Sequence, residues 1–127
     1  MRLLLDTHAF LWWDSAPSRL SETVLSLCQE PTNELWLSVV SIWEMQIKAG
    51  LGKLQFQTPL SELIESQKKN GLSILPVALE HVLALEQLPL HHKDPFDRLL
   101  IAQAKYESLT LLSRDTLFEP YEITIIW

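Results

Sequence analysis

The chain has 127 residues, of which 47% are hydrophobic and 20% are charged, so it fits a single globular domain spanning residues 1–127 and is not a disordered chain. No apolar stretch approaches the roughly 20 residues of a membrane helix, and no signal peptide is recognisable, so we expect a cytoplasmic protein without membrane contact. The formal net charge of −6 argues against tight, unaided nucleic-acid binding, because phosphate recognition rests on lysine and arginine.

Short apolar runs alternate with helical patterns along the whole chain. Strands are predicted at residues 2–5, 35–40, 73–75, 110–113 and 122–126. Helices are predicted over residues 7–13, 41–49, 78–88 and 94–107, and two more follow the capping residues Ser21 and Thr58. This alternation favours an α/β fold, namely a three-layer α/β/α sandwich around a mainly parallel sheet of roughly five strands.

Several apolar side chains receive a predicted place from this pattern. Helical spacing within residues 78–88 directs Leu79, Val82 and Leu83 inward. Of the five tryptophans, Trp36 and Trp43 are expected in the core. The other three, Trp12, Trp13 and Trp127, are expected to add to an apolar surface of the kind that marks an interface.

Four acidic residues lie where ordinary surface carboxylates are not expected. Asp6 closes the first strand and Asp115 follows the fourth, so both lie at carboxyl ends of strands, where open α/β sheets form their sites. Glu44 falls near the start of the helix after the second strand, and Asp97 falls in the first turn of a nearly apolar helix. The four carboxylates are therefore predicted to converge on one edge of the sheet.

Each acid also has a structural interpretation. Asp6 could cap the helix that starts near residue 7, and Asp115 could be a turn residue. Glu44 has the favourable i,i+4 spacing to Lys48 for an exposed ion pair. Asp94 precedes a proline as a helix cap does, and it is therefore left out of the predicted site.

Asp97 has the weakest structural interpretation. It shares a helical stripe with Leu100, Ile101 and Ala104, so its side chain is predicted to face a partly buried site. A buried cluster of like charges favours proton uptake unless a divalent cation neutralises it. Oxygen-only ligands favour Mg²⁺, or else Mn²⁺, over zinc, and Cys28 is the only cysteine. Such a cluster suits the hydrolysis of phosphodiesters by metal-activated water.

Other polar residues lie close to these acids in the sequence. The hydroxyls of Thr7 and Ser113 could orient a ligand or a water molecule. His8 adjoins Asp6 but is expected to face away from the site. The run His91-His92-Lys93 lacks a metal-ligand spacing, and together with Arg98 it could contact RNA phosphates, although adjacent histidines on a loop are usually solvated.

Four segments together resemble a known family. They are residues 3–13 (LLLDTHAFLWW), 41–48 (SIWEMQIK), 88–104 (LPLHHKDPFDRLLIAQA) and 112–115 (LSRD), the last followed by Phe118 and Tyr121. In these segments the chain resembles PIN-domain ribonucleases, and in particular VapC-type toxins of bacterial toxin–antitoxin pairs. Ser113 stands where the family often has threonine, so the hydroxyl is kept.

This resemblance implies a Mg²⁺-dependent endoribonuclease that forms a homodimer and is inhibited by a cognate antitoxin. Carried over to this chain, the metal ligands are Asp6, Asp97 and Asp115, and Glu44 completes the catalytic acids, either through a water molecule or directly. The substrate is expected to be RNA, and its sequence is left open.

Three alternatives carry different sequence requirements. A receiver-type signalling domain needs paired acids after its first strand and a late lysine, whereas Asp6 stands alone and residues 123–127 contain no lysine. A haloacid-type phosphatase needs Asp-x-Asp, and position 8 is histidine. A catalytically silent PIN fold that serves as an interaction protein would not need all four acids.

Overall fold

Five strands and six α-helices alternate in the computed structural model, which describes residues 1–90, 93–118 and 120–127. The strands are β1 (Arg2–Leu5), β2 (Glu34–Ser38), β3 (Leu72–Leu75), β4 (Thr110–Leu112) and β5 (Ile125–Ile126). The helices are α1 (Thr7–Ser15), α2 (Glu22–Gln29), α3 (Val39–Gly50), α4 (Leu60–Lys69), α5 (Leu79–Leu83) and α6 (Pro95–Tyr106). Short 3₁₀ turns occupy Pro17–Arg19, Ala84–Gln87 and Thr116–Phe118. No helix among these described residues has both the length and the apolarity that crossing a membrane requires.

The strands form one sheet in the order β3-β2-β1-β4-β5, and every neighbouring pair is parallel. The predicted α/β/α sandwich is therefore confirmed, with a sheet that is wholly parallel. From β1 the chain moves outward through β2 and β3, then crosses to β4 and β5 on the other side. The chain order thus reverses between β1 and β4, and sheets of this kind bind ligands outside the carboxyl ends of the strands at such a reversal.

Both faces of the central strand are buried. Leu3 and Leu5 pack with Phe10 in one hydrophobic cluster, whereas Leu4 packs with Ile101 in the other. Because successive strand residues point to opposite faces, an unbroken leucine run is what a strand between two helical layers requires. The last strand is shorter than the predicted 122–126, because the Ile123 amide bonds back to the Tyr121 carbonyl and forms a turn there.

Two predicted helix caps have different outcomes. Ser21 caps α2, its hydroxyl accepting a hydrogen bond from the Val24 amide at 3.1 Å. Thr58 was predicted to cap α4, and this is wrong, because Pro59 itself precedes the first helical residue and makes no side-chain cap bond. Pro59 has an extended ψ of 141°, so the chain turns into the helix one residue later than the sequence pattern predicts.

The orientation of α5 differs from the prediction. Leu79, Val82 and Leu83 are exposed, and His81 is buried in their place, with 1% of its surface accessible. The His81 ring accepts a hydrogen bond from the Ala78 amide at 2.9 Å, and its Nε2 lies 2.9 Å from Glu107 Oε1. The predicted helix 78–88 also breaks after Leu83 into a 3₁₀ turn. A histidine whose two ring nitrogens are both paired can therefore replace leucine on the inward face of a short helix.

The tryptophans also depart from the prediction. Trp43 is 58% exposed and lies edge-on to Phe96, because Met45 takes the inward face of α3, so its predicted core position is wrong. Trp36 is partly buried against the second hydrophobic cluster. The three tryptophans expected at the surface, Trp12, Trp13 and Trp127, are partly buried against the first cluster.

Candidate active site

The four predicted acids line a single cavity of about 390 Å³ beyond the carboxyl ends of β1 and β4. Asp6 directly follows β1, Asp115 lies in the loop after β4, Glu44 is on α3 and Asp97 is in the first turn of α6. The lining of this acidic cavity consists of Asp6, Thr7, His8, Trp12, Glu44, Lys48, Asp94, Asp97, Arg114, Asp115 and Phe118. The structure therefore brings together all four residues at the chain reversal of the sheet.

Asp6 is the most buried of these acids, with 8% of its surface accessible. Its Oδ1 accepts a hydrogen bond from the Ala9 amide at 2.8 Å, so it also caps α1 as one interpretation of the sequence held. Burial raises the pKa of Asp6 above its usual value of 3.8, against the lowering effects of the Ser113 hydroxyl, the Ala9 amide and His8, while the charge of Asp115 adds to the rise. A positive charge in the cavity would therefore stabilise the ionised Asp6.

Ser113 connects the first and fourth strands at this edge. It is almost fully buried, its hydroxyl interacts with the Asp6 carboxylate, and the same Oγ accepts the Asp115 amide at 3.0 Å. The Asp115 carbonyl accepts the Phe118 amide at 3.3 Å, which closes the 3₁₀ turn after β4. Asp115 is thus a turn residue and also lines the cavity, so its two interpretations are compatible.

Glu44 is fixed by two neighbours. The Thr7 hydroxyl donates a hydrogen bond to Oε1 at 2.6 Å, and Lys48 Nζ lies 3.1 Å from Oε2. The side chain of Glu44 is only 15% exposed, so the predicted ion pair with Lys48 forms at the cavity and not on open surface. Both oxygens are held in place by these contacts, and each keeps a further lone pair for a cation or a water molecule.

The start of α6 carries two acids with different environments. Asp94 Oδ1 accepts the amides of Phe96 at 2.8 Å and Asp97 at 3.2 Å, which confirms the predicted cap. Asp97 lies above Leu100 and Ile101, which are fully buried, and its side chain lines the acidic cavity. Asp94 also lines this cavity, although it was left out of the predicted site as a helix cap.

For two residues that line the cavity, the sequence-based prediction was wrong or absent. His8 was expected to face away from the site, and this is wrong, because it lines the cavity and stacks on Trp12 at 5.7 Å. His8 lies in the first turn of α1, which directly follows the cap Asp6, and this turn lines the cavity. Arg114 was overlooked, although its position between Ser113 and Asp115 in the loop after β4 already indicated a cation beside the acids.

The cationic run before α6 is only partly described. His91 and His92, predicted to be possible RNA contacts, lie outside the described residues. Arg98 Nη1 donates a hydrogen bond to the Pro89 carbonyl at 3.0 Å, so this side chain fastens the segment before α6 to the helix.

The chemistry of the cavity fits a hard divalent cation, since the four acids offer only oxygen ligands. In residues 1–90, 93–118 and 120–127, no three His, Cys, Asp or Glu side chains already have the close spacing of a formed metal centre. The carboxylates therefore face a shared space without forming a closed coordination sphere. Mg²⁺ is commonly held by one or two carboxylates and several water molecules, which this spacing allows.

Fold and site together define a doubly wound α/β domain with an acidic cavity at the reversal point of its sheet. The PIN domain family model matches residues 3–122. Ribonuclease VapC22 of Mycobacterium tuberculosis is 31% identical over 117 residues, which cover 89% of this chain and 86% of that protein. The chain therefore belongs to the PIN-domain family, and the resemblance seen in its four sequence segments is confirmed.

Solved structures share the same fold. The chain is similar to one in VapBC2 of Rickettsia felis bound to a promoter DNA fragment, with a TM-score of 0.75, 16% identity and coverage of 99% of this chain and 98% of that one. It is also similar to a chain of FitAcB from Neisseria gonorrhoeae, with a TM-score of 0.66, 22% identity and coverage of 98% and 96%. At these identities the likeness shows a common fold over the whole chain.

Proposed function

We propose that this protein is a metal-dependent endoribonuclease and the toxin of a toxin–antitoxin pair. The observation that carries the proposal is the convergence of Asp6, Glu44, Asp97 and Asp115 on one cavity of a PIN domain. The ribonuclease activity is supported by the related VapC22, which is named as a ribonuclease.

The four acids would have different roles, because their environments differ. Asp6 and Asp97 are the principal candidates to hold Mg²⁺ or Mn²⁺, and Asp115 completes the set. When bound, the cation would polarise a phosphoryl oxygen and lower the pKa of a coordinated water molecule. Glu44, held by Thr7 and Lys48, would orient the attacking water through its carboxylate.

The net charge of the cavity also suits this assignment. The ionised carboxylates would repel the RNA phosphate unless a cation lies between them, since like charges in a partly buried site interact strongly. Lys48 and Arg114 at the rim offset part of this charge and can approach the phosphate oxygens. We therefore expect RNA cleavage to depend strictly on added divalent cation.

The experiment compares cleavage of a structured RNA with loops by the purified protein in Mg²⁺, in Mn²⁺ and in EDTA. Asp6→Asn and Asp97→Asn should abolish cleavage while circular dichroism and the melting temperature show that they fold. Asparagine caps a helix about as well as aspartate, so the fold is expected to survive at position 6. Glu62→Gln, an exposed acid on α4, serves as the matched control and should cut at the wild-type rate.

Cleavage in EDTA, or wild-type cleavage by both asparagine variants, would refute the proposed site. A folded wild-type protein that cuts no RNA under any of these conditions would favour the catalytically silent PIN fold. The receiver-type alternative loses its basis because the chain belongs to the PIN family.

A cognate antitoxin is the proposed protein partner, and the similar chains come from the structures of VapBC2 and FitAcB. We further propose a homodimer, for which the exposed apolar side chains of α3, Trp43 and Ile47, provide candidate surface. Expression of the chain should arrest growth, and co-expression of the small protein encoded beside it should restore growth. Light scattering of the purified chain measures its oligomeric state.

A further inference from the structure

A second cavity of about 480 Å³ adjoins the acidic one. The two cavities share the lining residues His8, Trp12 and Lys48, so they lie side by side. We call the second one the basic cavity, because Arg19, Lys48 and Lys53 contribute to its lining. Its remaining wall includes the apolar side chains of Leu54 and Phe56.

Cations are concentrated here in a chain that is acidic as a whole. The protein has ten lysines and arginines and a formal net charge of −6. Four of those ten, Arg19, Lys48, Lys53 and Arg114, line one or both of the two cavities. Such a concentration beside a carboxylate site provides the phosphate-binding charge that the overall composition lacks.

The Trp12 ring contacts two of these cations. The guanidinium carbon of Arg19 lies 5.2 Å from the centroid of the Trp12 ring, and that of Arg114 lies 4.9 Å away. Arg19 lines the basic cavity and Arg114 lines the acidic one, so the indole holds one guanidinium beside each. Trp127 contacts the ring edge-on at 5.6 Å and His8 stacks on it, which fixes the indole in turn.

The charges of Arg19, Lys53 and Arg114 are available for a ligand. Within residues 1–90, 93–118 and 120–127 the ion pairs are Lys48–Glu44, Lys68–Glu65 and His81–Glu107, and none involves these three cations. The carboxylate of Asp14, which accepts a hydrogen bond from Gln67 at 2.9 Å, also lines the basic cavity and faces three cations there, Arg19, Lys48 and Lys53. The balance of charge in the basic cavity is therefore positive and suits an anionic ligand.

We propose that the basic cavity binds the phosphate backbone of the RNA next to the bond that is cut. Arg19 and Lys53 would contact phosphates outside the acidic cavity, and Arg114 would contact the phosphate nearest to it. Trp12 is then a positioning residue that aligns the two guanidinium groups along the path of the strand. This inference rests on the proposed ribonuclease function and adds a binding subsite to it.

Binding is measured separately from cleavage, in the full chain carrying Asp97→Asn, by fluorescence anisotropy with a labelled single-stranded RNA. Adding Arg19→Gln or Lys53→Gln should weaken binding roughly threefold to tenfold and reduce the slope of log K against log salt by about 0.7 for each lost phosphate contact. Lys105→Gln is the matched control, because Lys105 lies at the far end of α6 and lines neither cavity. It should leave both the affinity and the slope unchanged.

In the active protein, Arg19→Gln and Lys53→Gln should raise KM and leave kcat nearly unchanged, because the groups they remove bind RNA without touching the reacting phosphate. Trp12→Leu should raise KM and lower the salt slope in the same way, and Trp12→Phe should restore both, since phenylalanine keeps an aromatic face for the guanidinium groups. A purely structural role of Trp12 would lower the melting temperature without changing the salt slope.

The two proposals fail in different ways. If the wild-type protein cleaves RNA and the Arg19 and Lys53 variants keep its KM and salt slope, the subsite is refuted and the nuclease stands. If the variants bind RNA normally but escape inhibition by the antitoxin, the basic cavity belongs to the protein partner and the inference is again refuted. Weakened RNA binding in the Asp97→Asn background supports the subsite whether or not the wild-type protein cuts.

Discussion

The Thr7 hydroxyl donates a hydrogen bond of 2.6 Å to Glu44 Oε1, which joins the start of α1 to α3 beside the acidic cavity. Thr7 is buried, with 4% of its surface accessible, and its neighbour Asp6 is one of the proposed metal ligands. The bond therefore connects Glu44 to the residue that directly follows Asp6, so the uncharged side chain of Thr7 lies between two of the four acids. Lys48 completes the arrangement from the other side of the Glu44 carboxylate.

Thr7→Val should damage both stability and cleavage, because it leaves Oε1 of a partly buried carboxylate without its hydroxyl partner. A hydrogen bond to a charged group contributes about 1.5–3 kcal/mol, so the free energy of unfolding should fall by an amount in that range. Thr7→Ser keeps the hydroxyl and should recover most of the loss. Urea unfolding and the initial rate of RNA cleavage measure the two effects, and equal behaviour of the Val and Ser variants would show that the bond contributes nothing.

Asp6→Asn should stabilise the protein at neutral pH when divalent cations are removed. Burial raises the pKa of Asp6 in the folded state above 3.8, so the folded state binds more protons than the unfolded state between 3.8 and the raised value. Stability contributed by Asp6 is therefore greatest at low pH and is lost as the pH rises through that window. Asparagine keeps the α1 cap without the charge.

The measurement is urea unfolding of both proteins in EDTA from pH 3 to pH 8. The difference between Asp6→Asn and the wild type in the free energy of unfolding should increase as the pH rises above 3.8 and then become constant. Addition of Mg²⁺ should raise the melting temperature of the wild type more than that of Asp6→Asn, because a ligand that binds only the folded state stabilises it. A pH-independent difference would contradict the assignment of the raised pKa to Asp6.

Asp94→Ala should lower the free energy of unfolding by about 1 kcal/mol, because it removes the cap that accepts the Phe96 and Asp97 amides. Asp94→Asn should keep the cap, and it should also keep near wild-type cleavage if Asp94 is structural. Because Asp94 lines the acidic cavity as well, the cleavage rate of Asp94→Asn decides whether it is structural or catalytic. Loss of cleavage in a folded Asp94→Asn protein would place Asp94 among the catalytic acids.

The sheet and the approximate positions of its strands could be predicted because each strand is an apolar run with its own boundary signals. The convergence of Asp6 and Asp115 followed from a rule of parallel sheets and needed no knowledge of side-chain contacts. The position of Asp97 followed from helical periodicity alone. In each of these cases a local pattern determines where the backbone directs the side chain.

The remaining features depend on contacts between distant segments. The lining of the basic cavity comes from residues 8–19 and 48–56, and only the fold brings these two stretches together, so the basic cavity had no local signature. Thr58 was misassigned because a single residue decides where a helix starts. Trp43 was misassigned because a hydrophobic side chain can be accommodated at the surface, whereas a buried histidine needs partners.

The last prediction concerns α5, which buries His81 and exposes the leucines that were expected to face inward. His81→Leu should lower the free energy of unfolding by about 1–3 kcal/mol, because the Ala78 amide loses its acceptor and Glu107 loses its ring partner. Leu79→Ser, by contrast, should change stability by no more than about 0.5 kcal/mol, since Leu79 is 67% exposed. Urea unfolding of both variants measures this contrast, and a greater loss from Leu79→Ser than from His81→Leu would mean that α5 buries its leucines after all.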